Sequence, residues 1–144
     1  MLLERADIEK VFPHRDQALL LDKAEVNPDN ESAVGYLMVI GAYCAGHFPD
    51  NPIFWGINRI EMIAQTLGLA ARTEIPEGYL PYLGGGRKFR FPGKVVPGNL
   101  LRAEAKVTRK LLGMIQGDGK AYVDDRLVAE VKGLVFIIGK DSDI

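Results

Sequence analysis

Two side chains fourteen residues apart, His47 and Glu61, carry the acid–base chemistry that this sequence offers. Histidine accepts a proton near neutral pH, with a reference pKa of about 6.5. A carboxyl that stays protonated in an apolar setting can give one up. Together such groups suit a β-elimination. The histidine would take a proton next to a carbonyl, and the acid would protonate the hydroxyl that leaves. A third group is needed for the charge that develops on the carbonyl oxygen. Gly56 stands at the start of a predicted helix, where main-chain N–H groups lack partners and carry the positive end of the helix dipole. Its amide is a candidate oxyanion donor.

Each of these residues also has a plainer reading. On a helix, Asn58, Glu61, Gln65 and Arg72 share one stripe. That stripe is either a solvated face or the wall of a pocket in which Gln65, one turn on, hydrogen-bonds Glu61. His47 is either a structural loop residue or a fixed base. Gly46 frees the backbone before it, and Pro49 and Pro52 stiffen the chain after it.

The elements that must position these groups follow from pattern. Gly56 to Arg72 has apolar residues at helical spacing (Ile57, Ile60, Ala64, Leu67, Ala71), widened by Met62, Ile63 and Leu69. Such a helix is apolar over most of its circumference and belongs inside the protein. ERADIEKVF predicts a short helix that Pro13 ends, ALLLDKAEV and AVGYLMVI two strands, and GAYCAGHFPDNP a loop. Leu80–Phe91, Leu100–Leu111, Met114–Val123 and Leu127–Ile138 predict four further strands, with a tight hairpin at the DDR turn and GKDSDI as a tail. Gly84-Gly85-Gly86 is only weakly like a phosphate loop and suits a bulge near the pocket. One long helix with five or six strands predicts an α+β fold in a single domain over residues 1–144.

Composition narrows the class. With 47% hydrophobic and 26% charged residues and a net charge of -1, the chain has the balance of a soluble globular domain, not of a nucleic-acid binder. No apolar run reaches the roughly 18 residues of a membrane span, and the first residues lack an apolar signal core, so the expectation is a cytoplasmic protein. One cysteine excludes an internal disulfide, and with two histidines it is a poor basis for a structural zinc site.

Gly46-His47-Phe48-Pro49, Pro52, Gly56, Glu61, Ala64 and Gln65 resemble, without a gap, the signature of the 3-hydroxyacyl-acyl-carrier-protein dehydratases, the FabZ-type hotdog family. FPHRDQALLLD and KFRFPGKVVPGNLL resemble two further family segments, in family order, the second with two extra residues. The resemblance implies a hotdog fold: a long central helix wrapped by a twisted antiparallel β-sheet. It implies a homodimer, or a trimer of dimers, with active sites at the interface and His and acid drawn from different subunits. Carried over, His47 is the base, Glu61 the acid, Gly56 the amide donor and Gln65 the support of Glu61; Phe48 and, by its bulk rather than by the resemblance, Trp55 are the further substrate-binding candidates. The glutamate, where the isomerising branch has aspartate, implies dehydration alone. No cofactor and no metal are implied. The partner implied is an acyl-carrier protein bearing a phosphopantetheine-linked 3-hydroxyacyl chain, with no nucleic acid and no membrane.

Several positions depart from the family pattern. Trp55 replaces a proline, Asn58 and Arg59 replace apolar residues, and Gln17-Ala18 replaces a Pro-Phe pair. These spare the chemical groups but bear on chain length and on the higher oligomer. Basic residues gather late, and Arg87, Lys88, Arg90 and Lys94 are the candidate dock for an acidic carrier protein, against an ordinary charged strand surface as the alternative. His14 reads as a structural residue of the turn before the first strand. A hotdog thioesterase and a non-catalytic acyl-binding subunit are the competing functions, since fold alone does not fix activity.

Overall fold

Strand β1 (Leu2–Glu4) passes directly into helix α1 (Arg5–Val11) in the computed structural model, which describes residues 1–140. Asp7 accepts the Glu4 amide at 3.0 Å and so covers one orphan donor of the first turn. Pro13 stops the helix, as its sequence predicts. Strand β2 (Lys23–Val26) is shorter than ALLLDKAEV suggested. Residues 16–18 form a single 3-10 turn, and Leu19, Leu20 and Leu21 are buried as irregular chain. Their hydrophobicity serves the core, not a ladder. Strand β3 (Ser32–Met38) follows the predicted turn.

Helix α2 (Gly56–Ala70) is the pillar of the fold. Every residue from Met62 to Ala70 is buried, as are Arg59 and Ile60. Full burial of each Ile or Leu contributes about 1.5–3 kcal/mol. The helix lies close on the sheet because small residues face it. A Cβ on Gly117 would stand 2.5 Å from Leu67 Cδ1, and one on Gly119 would overlap Ile63. The one hydroxyl in the buried stretch, Thr66, donates to the Met62 carbonyl at 2.9 Å.

The predicted strand over Leu80–Phe91 is two strands, β4 (Tyr79–Gly85) and β5 (Lys88–Arg90). Both pair with one long partner, and β4 carries a register shift between Leu83 and Gly85. The glycine triplet is therefore a bulge, which breaks the ladder and turns the chain. Strands β6 (Leu100–Leu111), β7 (Met114–Val123) and β8 (Arg126–Lys140) form the meander, and the β7–β8 turn is the expected two-residue hairpin, with Asp124 at φ 54°. Among the described residues the sheet has eight strands, not five or six, in the order β1-β2-β3-β6-β7-β8-β4, with β5 also on β8 and every pairing antiparallel. It curls around α2, giving the predicted α+β architecture. Of the predicted tail, residues 141–144 lie outside the described residues.

Candidate active site

His47 sits in a loop tied down by its own main chain. Its amide donates to the Cys44 carbonyl at 2.9 Å, and Ile53 N donates to the His47 carbonyl at 2.6 Å. Phe48 and Asn51 exchange two main-chain hydrogen bonds, at 2.9 and 3.1 Å. Phe54 is fully buried, and its amide reaches the Val95 carbonyl at 2.8 Å. Gly46 adopts φ 82°, the left-handed region where a side chain is strained. The imidazole Nδ1 is 3.0 Å from the Ile53 carbonyl oxygen. A carbonyl only accepts, so Nδ1 carries the proton and Nε2 keeps its lone pair. Phe48 stacks on the ring at 4.5 Å between centroids, and Trp55 leans on it at 5.1 Å. Both of these aromatics are exposed.

Trp55 is also the residue that enters α2, with an extended backbone and no side-chain cap. The first helical turn therefore begins at Gly56 with uncapped N–H groups. The Phe91 ring lies over Gly56: a Cβ there would be 3.2 Å from two of its carbons.

Glu61 and Gln65, one turn apart, settle the question of the polar stripe. Gln65 is 3% exposed and Asn58, Glu61 and Arg72 are half-buried, so the stripe is a pocket wall at Gln65 and not a fully solvated face. The Gln65 Nε2 group donates to Glu61 Oε1 at 3.0 Å and to the Ala18 carbonyl at 2.9 Å, while its Oε1 accepts the Leu20 amide at 2.8 Å. Glu61 opens into a cleft of about 40 Å³ walled by Phe12, His14, Ala64, Pro81, Leu83 and Phe136. The carboxyl thus has one hydrogen-bonded oxygen and a largely apolar surround. A wider depression, about 490 Å³, lies on the sheet among Glu104, Lys106, Asp118 and Lys120, but it holds neither His47 nor Glu61.

Two features were not foreseen. Arg59 turns inward: it donates to the carbonyls of Gly93 (2.6 Å), Val128 (3.1 Å) and Phe54 (2.9 Å), tying the helix start to the 91–95 segment and β8. Its guanidinium is also 5.8 Å from the Phe91 ring centre. Burial lowers its pKa, with Arg126 adding to the effect. His14 approaches Glu61, with Nε2 3.5 Å from Oε1. An arginine among apolar helix positions was the available signal for the first. For the second there was only the residue type. Arg87, Lys88, Arg90 and Lys94 are all exposed along one segment, and Arg90 reaches Glu130 at 3.9 Å.

A long buried helix in a curled antiparallel sheet, with a histidine loop entering it and a carboxyl one turn in, defines an α+β hotdog domain. Solved structures share that architecture. The dehydratase heterocomplex ApeI:P from Xenorhabdus doucetiae superposes with TM-score 0.78 at 16% identity, covering 94% of this chain and 92% of its own. An uncharacterised protein, PH1136 of Pyrococcus horikoshii, gives TM-score 0.66 at 20% identity over 88% of this chain and 89% of its own. The FabA-like domain family matches residues 12–132. A 3-hydroxyacyl-[acyl-carrier-protein] dehydratase FabZ of Clostridium botulinum (strain Loch Maree / Type A3) is 41% identical over 143 residues, 96% of this chain and 97% of the relative. The FabZ of Natranaerobius thermophilus is 36% identical over 128 residues, 86% and 89% of the two chains. This chain belongs to the FabA-like family.

Proposed function

We propose that this protein is a hydro-lyase that dehydrates 3-hydroxyacyl thioesters on acyl-carrier protein to 2-enoyl thioesters in fatty-acid biosynthesis, with His47 as base and Glu61 as acid. Near full-length likeness to relatives named for this reaction supports the activity. The observation that carries the acid–base assignment is the Ile53 carbonyl at His47 Nδ1. It leaves Nε2 free to take the proton from the carbon next to the thioester carbonyl. The Gly56 amide stabilises the oxygen of that carbonyl as charge builds on it. Glu61 gives its proton to the 3-hydroxyl, which departs as water, and the imidazolium and carboxylate then return to their starting forms.

Within one chain the two groups have separate surroundings. The ring of His47 meets Phe48, Trp55 and the Ile53 carbonyl, whereas Glu61 meets His14 and Gln65. That separation supports a homodimer in which each site takes its base from one copy and its acid from the other. Phe48 and Trp55, exposed beside the base, contact the acyl thioester. Arg87, Lys88, Arg90 and Lys94 receive the acidic carrier protein.

The test is absorbance in the enoyl-thioester band with a 3-hydroxyacyl thioester on carrier protein. Wild type forms conjugated product, and His47→Ala and Glu61→Gln each lose about 100-fold or more of kcat. Free thiol without conjugation would instead identify a thioesterase. Trp55→Pro, assayed over several chain lengths, changes the ratio of KM values between short and long substrates. An unchanged ratio removes Trp55 from the acyl contact.

A further inference from the structure

We propose that His14 is a positioning residue, which together with Gln65 fixes the Glu61 carboxyl so that Oε2 carries the proton delivered to the leaving hydroxyl. This rests on Glu61 being the acid. The motif Pro13-His14-Arg15 has a physical division of labour. Pro13 ends α1. Arg15 then clamps the backbone: Nη1 takes the carbonyls of Phe12 (2.8 Å) and His14 (2.7 Å), and Nη2 takes that of Glu9 (3.0 Å). The His14 ring is held edge-on by Phe12, at 5.5 Å and 80°. Phe12 in turn occupies space that Gly68 leaves open, since a Cβ there would be 2.8 Å from its ring. Backbone and ring are both held, and the side chain is aimed at Glu61.

Its Nε2 stands 3.5 Å from Glu61 Oε1, the same oxygen that Gln65 Nε2 reaches at 3.0 Å. Nδ1 is shut off from solvent and has no hydrogen-bond partner among the described residues. A buried bare lone pair costs less than a buried unpaired N–H, so the neutral ring carries its proton on Nε2, on the side that faces Glu61. Gln65 then donates to Oε1, His14 Nε2 stands beside the same oxygen within reach of a closer contact, and among the described residues no hydrogen bond or ion pair reaches Oε2. A carboxylic acid in that setting accepts at Oε1 and holds its proton at Oε2. Once the proton has moved to the hydroxyl, both donors face the new carboxylate and stabilise it. The 3.5 Å separation is long for a resting hydrogen bond, and such contacts tighten when substrate binds.

The experiment is steady-state kinetics and thermal melting on wild type, His14→Ala, His14→Gln, Glu61→Gln and the double variant His14→Ala/Glu61→Gln. Glutamine keeps an N–H donor near the Nε2 position. His14→Ala should lower kcat about 10- to 100-fold, less than the full general-acid contribution, with KM within about threefold. His14→Gln should recover most of that loss. The double variant should be no slower than Glu61→Gln alone, because the two residues act as one unit. The proposal is overturned by a His14→Ala kcat within about twofold of wild type. It is overturned equally by matched losses of kcat and melting temperature in the alanine and glutamine variants, which would make His14 a fold residue. Additive losses in the double variant also overturn it. Wild-type kcat in Glu61→Gln would instead remove Glu61 as the acid, whatever His14 does.

Discussion

At the scale of single residues, main-chain carbonyls and amides orient the side chains of the candidate site. The Ile53 carbonyl decides which nitrogen of His47 is basic, and the Ala18 carbonyl and Leu20 amide decide how Gln65 presents its amide to Glu61. Cys44, two residues before the glycine that leads into His47, is a different case. It is 1% exposed, and burial raises its thiol pKa, an effect that the nearby Arg59 charge partly offsets. A raised folded value means that the folded state holds its proton longer than the unfolded chain does. The resulting stability is complete below the ordinary thiol value of about 8.5 and is lost as pH rises through it toward the folded value. Denaturation curves across that interval should therefore fall more steeply for wild type than for Cys44→Ala. Parallel curves would show that the thiol contributes nothing to the alkaline loss.

At the scale of elements, Arg59 joins pieces that are far apart in sequence. Three carbonyls, from Phe54, Gly93 and Val128, converge on one guanidinium. Replacing it with a neutral side chain leaves them without their donor in a buried place. Arg59→Met should cost about 2–4 kcal/mol in chemical denaturation, since buried groups left unpaired are expensive. It should also loosen the 91–95 segment, measured as faster exchange of the Phe54 amide, which donates to the Val95 carbonyl. Full stability in the variant would mean that the strut is replaceable by packing. The helix start also carries Gly56, the proposed oxyanion donor, so the Arg59 strut supports the same element that the proposed mechanism uses.

At the scale of the whole molecule, the predictions concern assembly and docking. If His47 and Glu61 act across an interface, mixing unfolded His47→Ala and Glu61→Gln chains and refolding them together creates heterodimers with one intact site each. Random pairing then restores about a quarter of wild-type sites. No recovery, with mixed dimers verified by mass, would place both groups in one subunit's site. The carrier dock makes a separate claim. Reversing charge at Lys88 and Lys94 should raise KM about tenfold for carrier-linked substrate at low salt while leaving a pantetheine-linked substrate within about twofold, because long-range attraction acts on the carrier alone. Equal effects on both substrates would remove the patch from docking.

Much of this molecule is legible from its residues, for a local reason. The 3.6-residue spacing of apolar side chains from Ile57 to Leu69 specifies α2 whatever surrounds it, and the two-residue turn at Asp124-Asp125 specifies a hairpin. Loop stiffness around His47 and the residue types at 47, 56, 61 and 65 are likewise readable in order along the chain. What the linear order could not decide is which side chains meet across the curl of the sheet. Leu19 to Leu21 look like a strand because burial as loop and burial as ladder demand the same hydrophobicity. The 79–90 segment divides because β8 offers it a continuous partner on both sides of a bulge. Gln65 is buried because Ala18 and Leu20, more than forty residues earlier, satisfy its amide. His14 reaches Glu61 by the same route. Periodicity is a property of neighbours along the chain, whereas these contacts depend on the closure of the sheet around one helix, and only the tertiary structure contains that.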